Sequence, residues 1–148
     1  MKREVKNQMR LTIPAVSENE SLARAAVSLF FARLDPDTEA LADVRCAVSE
    51  AVTNCIVHAY RGGAGMIYIN AKLYADRSMT VEIRDKGCGI EDIDLALQPL
   101  YTTDKAGERS GMGFPIMKSF MDRVRVKSRV GAGTAVFMEK RVAKAAKD

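Results

Sequence analysis

Glu50 and Asn54 are the two side chains in this 148-residue sequence that most clearly suggest chemistry. They lie four positions apart in a segment that is predicted to be helical, so they are separated by about 40° around the helix axis and by about 6 Å along it. A carboxylate can accept a proton, and a carboxamide oxygen can bind a hard cation such as Mg²⁺. The pair therefore suits chemistry on a metal-bound phosphate, although an isolated pair of this kind is more often a solvated helix face.

The helix that carries this pair is predicted from an apolar stripe and ends near residue 60. Apolar side chains recur at intervals of three and four, the spacing of a core-facing helix side. They are Leu41, Val44, Val48, Val52 and Ile56. Asp35, Pro36 and Asp37 favour a helix start just before this stripe. An earlier helix is predicted over residues 20–34, with Ser17 or Asn19 as its cap.

Alternating apolar and polar residues predict the strands. One short strand is expected over residues 9–16, stopped by Pro14. Two hairpins follow, the first from residues 66–74 and 79–84, the second from residues 124–130 and 134–138. The intervening region, 85–121, is not sheet and contains a helix over 114–121. This order predicts an α+β fold, a two-layer sandwich with helices on one face of a mainly antiparallel mixed sheet.

Composition and charge favour one ordinary soluble domain over residues 1–148, with 1–8 and 141–148 expected to be flexible. Apolar residues make up 47% and charged residues 28% of the chain. The net charge is only +4, and no dense basic stripe with interleaved aromatic residues is found, so no direct nucleic-acid partner is expected. No long apolar run follows the charged N-terminus, so neither a signal peptide nor a membrane anchor is expected.

Cys46, Cys55 and Cys88 are odd in number and lack the spacing of metal ligands. Reduced thiols in a cytoplasmic protein are the simplest interpretation. Cys46 and Cys55 are expected on opposite faces of the same helix, because nine residues separate them. The single histidine, His58, is interpreted as a structural residue near the helix end.

The first of two glycine clusters, Asp85-x-Gly87-x-Gly89, follows a predicted strand. Glycines allow positive φ angles and a close approach of the backbone to a flat ligand. A buried carboxylate can accept a hydrogen bond from an exocyclic amine such as that of adenine. Taken alone, however, this pattern is also typical of an ordinary turn.

The second cluster runs through residues 107–114 into an apolar helix. Free backbone N–H groups at a glycine-rich helix start form a site for phosphate, and Arg109 adds a cation. The cluster is not a P-loop, because no Gly-Lys-Ser/Thr follows at the required spacing. It is not a dinucleotide-binding fingerprint either, because no parallel βαβ unit surrounds it. A flexible segment before such a helix is interpreted as a lid that closes over a nucleotide.

Three motifs follow one another along the chain in the order of the N, G1 and G2 boxes of the GHKL superfamily. Glu50-x-x-x-Asn54 resembles the N box, Asp85-x-Gly87-x-Gly89 the G1 box and Gly111-x-Gly113 the G2 box. This ATP-binding fold is shared by gyrase B and the sensor histidine kinases. Residues 49–54, 98–103 and 108–114 are similar in particular to the sporulation anti-sigma F factors, a family of serine-protein kinases. The resemblance covers nearly the whole chain.

The resemblance implies a role for each matching residue. Asn54 would ligate the Mg²⁺ that bridges the phosphates of ATP, and Glu50 would act as general base toward a partner serine. Asp85 would receive the adenine amino group, in a pocket supported by Thr134, and Arg109 would reach the γ-phosphate. The residues expected to bind the nucleotide are Asn54, Asp85, Gly87, Gly89, Thr102, Thr103, Arg109, Ser110, Gly111, Met112, Gly113 and Thr134.

The resemblance also implies partners. Proteins of this family form homodimers that sequester a sporulation sigma factor, sigma F, and phosphorylate an anti-anti-sigma protein that competes with it. Arg24 matches a family position on the partner-facing surface. No membrane contact is expected.

Three alternatives stay open from the sequence. The first is the catalytic domain of a sensor histidine kinase, which the position of His58 inside the nucleotide-site helix disfavours. The second is the general-stress anti-sigma relative, with the same chemistry and a different sigma factor. The third is a binding module that holds ATP as a structural cofactor and transfers nothing.

Overall fold

Five strands form one sheet in the computed structural model, which describes residues 3–98 and 113–143. Along the sheet their order is β1-β2-β3-β5-β4. The strands are β1 (Val5–Pro14), β2 (Met66–Tyr74), β3 (Ser78–Arg84), β4 (Arg123–Arg129) and β5 (Gly133–Arg141). Every pairing between neighbouring strands in this sheet is antiparallel, which confirms the mainly antiparallel prediction and leaves no parallel pair among the described strands.

Within the described ranges, four helices pack on one face of the sheet and confirm the two-layer α+β architecture. They are α1 (Asn19–Phe31), α2 (Thr38–Thr53), α3 (Ile93–Ala96) and α4 (Gly113–Phe120). α1 continues as a 3₁₀ turn over Ala32–Leu34, and α2 continues as a π-helix over Asn54–Ala59.

α2 is the central helix of the core. Val44, Val48 and Val52, three members of its predicted stripe, are completely buried. Leu41 and Ile56 at the two ends of the stripe are partly buried against the same core. Burying a side chain of this size stabilises the fold by about 1.5–3 kcal/mol relative to leaving it exposed. The 3.6-residue pattern therefore identified the face of α2 that packs on α1, α4 and the sheet.

The predicted start of α2 is confirmed, whereas the predicted cap of α1 is wrong. Asp37 caps α2 by accepting a hydrogen bond from the backbone N–H of Ala40 at 2.8 Å. Neither Ser17 nor Asn19 caps α1, whose N-cap position is Glu18. Asn19 lies inside the helix instead, and its side-chain amide donates to the carbonyl of Pro14 at 2.9 Å. That bond ties the start of α1 to the end of β1.

β1 begins earlier than predicted. Residues 5–8, expected to be a flexible segment, form the first part of the strand and pair with the end of β2, with a register shift between Val5 and Asn7. They were missed because this edge strand starts with polar residues that show no alternation. Both predicted hairpins are confirmed, and β5 extends three residues further than expected, to Arg141.

β4 shows the alternation of a strand with one buried face. Arg123, Arg125 and Lys127 are exposed, whereas Val124 and Val126 pack against the core. A strand with this pattern presents one row of side chains to the helices and the other to solvent.

Candidate functional site

Glu50 and Asn54 converge on the start of α4. A Cβ atom placed on Gly113 would lie 3.2 Å from Asn54 Oδ1 and 3.4 Å from Glu50 Oε2. The predicted proximity of the two side chains is thus confirmed, and both point toward the first residue of the helix that was predicted to bind phosphate. A side chain at position 113 would fill the space that they face.

The carboxamide of Asn54 has unused hydrogen-bonding capacity. Its Nδ2 atom is buried and has no hydrogen-bond partner among the residues that the structure describes. Leaving a buried donor unpaired costs about 1–3 kcal/mol, so such a group in a native structure calls for a hydrogen-bond acceptor, such as a phosphate oxygen or a water. Together with the small residue at 113, this carboxamide fits a bound magnesium nucleotide.

A π-helix begins at Asn54, directly after the last residue of α2. Nothing in the sequence predicted it, because residues 54–59 continue the apolar stripe of the α-helix. π turns inside helices are rare and are frequent at functional sites. This turn carries Cys55 and Ala59 toward the loop after β3, where the Cys88 N–H donates to the Ala59 carbonyl at 3.0 Å.

Asp85 directly follows β3 in a buried position, with only 5% of its surface exposed. Its Oδ1 atom accepts hydrogen bonds from the backbone N–H groups of Gly87 at 2.9 Å and Thr134 at 3.2 Å. Burial raises the pKa of Asp85, although these two donors and the Cys55 thiol oppose the shift. The carboxylate is therefore held in a fixed position, and Thr134 lies beside it as the resemblance implied.

Cys55 is a neighbour of Asp85 that sequence analysis did not assign to the site. Burial, and then the negative charge of Asp85, raise the pKa of this thiol well above its ordinary value. The thiol stays protonated and can donate to the carboxylate. Cys46 is exposed, so the predicted placement of these two cysteines on opposite faces is confirmed.

Ser128 is a second residue that sequence analysis missed. Its hydroxyl lies 2.8 Å from the Thr134 hydroxyl and accepts a hydrogen bond from the Ile90 N–H at 2.7 Å. It therefore connects the β4–β5 hairpin to the loop that follows Asp85. One signal could have identified it, since Ser128 continues the inward-facing row of Val124 and Val126 with a polar residue.

The glycines after β3 are required by contacts within the chain. A Cβ on Gly87 would lie 2.4 Å from the Ala59 carbonyl oxygen, and one on Gly89 would lie 2.3 Å from that of Arg129. Gly89 also has a φ angle of +79°, a conformation that favours glycine. The close backbone approach expected here is thus made to Arg129, and contact of Gly89 with a ligand stays a prediction.

Arg24 lies on α1, near the C-terminal end of α2 that carries Glu50. Its Nη1 atom donates to Ser49 Oγ at 3.4 Å and lies 3.9 Å from Glu20 Oε1. The side chain is 36% exposed, so it is accessible from solvent. Its predicted role in partner binding stays a prediction.

The remaining predicted nucleotide contacts and the expected lid lie outside the described residues. These contacts are Thr102, Thr103, Arg109, Ser110, Gly111 and Met112. Within 3–98 and 113–143, no group of three or more His, Cys, Asp and Glu side chains is arranged to hold a metal ion. In the same ranges, no helix combines the length and apolar character needed to cross a bilayer.

Comparison with known proteins identifies the fold and close relatives. Residues 13–140 match the model of the histidine kinase-like ATPase domain. The anti-sigma F factor of Caldanaerobacter subterraneus subsp. tengcongensis is 50% identical over 137 residues, which cover 93% of this chain and 95% of that protein. That of Clostridium acetobutylicum is 49% identical over 139 residues, covering 94% of this chain and 96% of the relative.

Solved structures share this architecture at low sequence identity. The RsbU and RsbW domains of Rv1364c from Mycobacterium tuberculosis align with a TM-score of 0.69 at 20% identity, over 96% of this chain and 34% of that one. The mycobacterial sensor histidine kinase MprB aligns with a TM-score of 0.58 at 16% identity, over 90% of this chain and 98% of that one. At these identities the likeness establishes the fold alone.

Proposed function

Because the chain belongs to the anti-sigma F factors, within the histidine kinase-like ATPase domain family, we propose that it is an ATP-dependent protein-serine kinase that also inhibits a sigma factor. Its sigma partner is the sporulation factor sigma F. Its kinase substrate is a serine of the anti-anti-sigma protein that competes for it. Phosphorylation inactivates that antagonist and leaves the sigma factor captured.

The observation that carries the proposal is the convergence of Glu50 and Asn54 on Gly113. Phosphoryl transfer needs positioning and charge stabilisation more than a covalent nucleophile. A carboxylate and a carboxamide side by side at a helix start that can take phosphate supply both. A module that only stored ATP would have no need for the carboxylate.

The chain's own groups have distinct parts in the transfer. Asn54 would hold Mg²⁺, which neutralises charge on the phosphates when bound. The Glu50 carboxylate takes the proton from the partner's serine hydroxyl as that oxygen attacks phosphorus, with ADP as leaving group. Arg109 acts as the cation at the γ-phosphate, beside the backbone of Ser110, Gly111 and Met112.

The nucleotide base is assigned to the other end of the site. Asp85 accepts a hydrogen bond from the adenine amino group, while Thr134 and Ser128 keep the carboxylate and its loop in place. Gly87 and Gly89 shape that loop, and Thr102 and Thr103 belong to the lid over the nucleotide.

The active species is a cytoplasmic homodimer in this proposal. Its partner-facing surface includes Arg24, whose guanidinium suits an acidic group of the sigma factor or of its antagonist. ATP-bound and ADP-bound forms prefer different partners, which requires a different affinity of each partner for the two forms.

The test combines the purified chain with labelled ATP, Mg²⁺ and the anti-anti-sigma protein of its own genome. We expect label on a single serine of that protein, and none on a variant whose target serine is alanine. Label on a histidine would instead support the histidine kinase alternative. Tight nucleotide binding without any transfer would reduce the chain to a binding module, and preference for a general-stress sigma factor in a parallel capture assay would revise the partner.

A further inference from the structure

Four polar side chains join α1 to the last turns of α2. The Thr53 hydroxyl donates a hydrogen bond to Glu20 Oε2 at 2.8 Å. Arg24 Nη1 donates one to Ser49 Oγ at 3.4 Å and lies 3.9 Å from Glu20 Oε1. Glu20, Arg24, Ser49 and Thr53 are called the α1–α2 polar cluster below. Because Glu20 contacts Thr53 and Arg24 contacts Ser49, the cluster joins one turn of α1 to one turn of α2.

The cluster lies next to the candidate catalytic residues. Ser49 directly precedes Glu50, and Thr53 directly precedes Asn54. Successive residues of a helix point about 100° apart, so a bond to Ser49 or Thr53 fixes the rotation of the turn that also carries Glu50 or Asn54.

The helix changes form at this point. α2 ends at Thr53 and the π-helix begins at Asn54. A π turn accommodates an extra residue and alters the direction of the side chains that follow it. The hydrogen bond from Thr53, whose side chain is buried, therefore anchors the last α-helical residue to a neighbouring helix.

Small rotations matter at this distance from the axis. A side-chain oxygen about 6 Å from the helix axis moves by about 1 Å when the helix rotates by about 10°. Misplacing a reacting group by about 1 Å can slow a reaction about a hundredfold. A contact that sets the rotation of α2 can therefore control the transfer rate without touching the nucleotide.

We propose that the α1–α2 polar cluster positions Glu50 and Asn54 for phosphoryl transfer. This inference rests on the kinase function proposed above. Thr53 and Glu20 are positioning residues. Arg24 is the solvent-accessible member of the cluster.

Exposure within the cluster supports this division. Thr53 is 6% exposed, whereas the side chains of Arg24 and Glu20 are each 36% exposed. The Thr53–Glu20 hydrogen bond is therefore better shielded from solvent than the contacts of Arg24.

The first experiment removes one hydroxyl. Thr53→Val keeps the side-chain shape but loses the hydrogen bond to Glu20. Thr53→Ser keeps the hydroxyl. Thr12→Val makes the same change at an exposed position of β1 and is the control. We expect single-turnover phosphorylation of the anti-anti-sigma protein, at saturating ATP and partner, to fall at least tenfold in Thr53→Val. The serine variant should stay within about threefold of the unmodified protein, and the control should be unchanged.

Thermal unfolding separates positioning from simple destabilisation. A purely structural role would lower the melting temperature and leave the rate of the folded protein unchanged at low temperature. A wild-type rate in Thr53→Val would overturn the inference. If the unmodified chain transfers no phosphate, the proposed kinase function is wrong. The role of the cluster is then tested by measuring the affinity of the chain for Mg·ATP. That affinity should weaken at least threefold in Thr53→Val, and an unchanged affinity would overturn the cluster's role as well.

A second experiment tests whether Arg24 acts through the cluster. Arg24→Gln should lower the single-turnover rate at saturating partner by about threefold or more in the unmodified chain, and by less in the Thr53→Val background, where the same pair of helices is already loosened. Such non-additivity identifies groups that act as one unit. Equal effects in both backgrounds would show that Arg24 does not act through the cluster and would overturn this part of the inference.

Discussion

Asp85 Oδ1 accepts a hydrogen bond from the backbone N–H of Thr134 at 3.2 Å, across 49 positions of the chain. The Thr134 carbonyl in turn accepts from the Asp85 N–H at 2.9 Å, so the two residues are bonded in both directions. The segment after β3 and the start of β5 thereby hold a buried carboxylate. Two elements that are distant in sequence thus fix the proposed adenine end of the site.

The raised pKa of Asp85 predicts a pH-dependent stability. A carboxyl group whose pKa is higher in the folded than in the unfolded state destabilises the fold above its folded pKa, and this penalty vanishes below its unfolded pKa. Nucleotide-free Asp85→Asn should therefore be more stable than the unmodified chain at pH 7, with a difference that shrinks as the pH falls toward 4. Urea unfolding at several pH values measures this, with Asp94→Asn as the control. A constant difference would contradict the prediction.

Glu50→Ala should keep ATP affinity and lose phosphorylation of the partner. Removing a general base slows transfer by about a hundredfold or more, whereas the carboxylate is not needed to hold the nucleotide. Labelled ATP measures transfer, and calorimetry measures binding. Unchanged transfer would remove Glu50 from its role as base.

Asn54→Ala should instead weaken binding of Mg·ATP, by about tenfold or more. The buried carboxamide has an unpaired nitrogen among the described residues, and its oxygen is the proposed Mg²⁺ ligand. Titrations with and without Mg²⁺ distinguish loss of the metal contact from loss of the fold. An unaltered dissociation constant in the presence of Mg²⁺ would place the metal elsewhere.

Gly113→Ala should lower transfer about tenfold without destabilising the protein. The added methyl group would lie 3.2–3.4 Å from atoms of Asn54 and Glu50, which must move. Alanine also favours helix more than glycine, so α4 itself should not weaken. Ser119→Ala on the exposed side of α4 is the control. Full activity in Gly113→Ala would show that the space facing position 113 is not used.

The cysteines should differ in reactivity toward iodoacetamide. Cys46 is exposed, whereas Cys55 is buried and its raised pKa disfavours the reactive thiolate. We expect Cys46 to be modified first at pH 8 and Cys55 only after unfolding, as measured by peptide mass spectrometry. Equal rates for the two residues in folded protein would show that the Cys55 pocket opens readily.

Periodicity was sufficient for much of this fold. The valines of α2 and the alternating residues of β2 to β5 each bury one face, so sequence spacing identified both the elements and their cores. The proximity of Glu50 and Asn54 followed from helix geometry in the same way. Their convergence on Gly113 did not, because it depends on how α4 packs against α2.

Other features could not be read from local patterns. The π-helix leaves the apolar stripe intact, so its extra residue has no signature in the sequence. The polar start of β1 pairs only because β2 lies beside it. Gly89 is fixed by the Arg129 carbonyl, a contact between segments 40 positions apart. Each of these depends on tertiary packing, which spacing along one segment does not encode.

The alternation on β4 also bears on how the chain avoids misfolding. A slip of one residue against β5 would turn Arg123, Arg125 and Lys127 into the interior and expose Val124 and Val126. Burying three unpaired charges is far too costly for such a pairing to persist. The hairpin thus rejects its nearest wrong alignment without help from a ligand, and chains that stall with β4 unpaired should be the ones that aggregate.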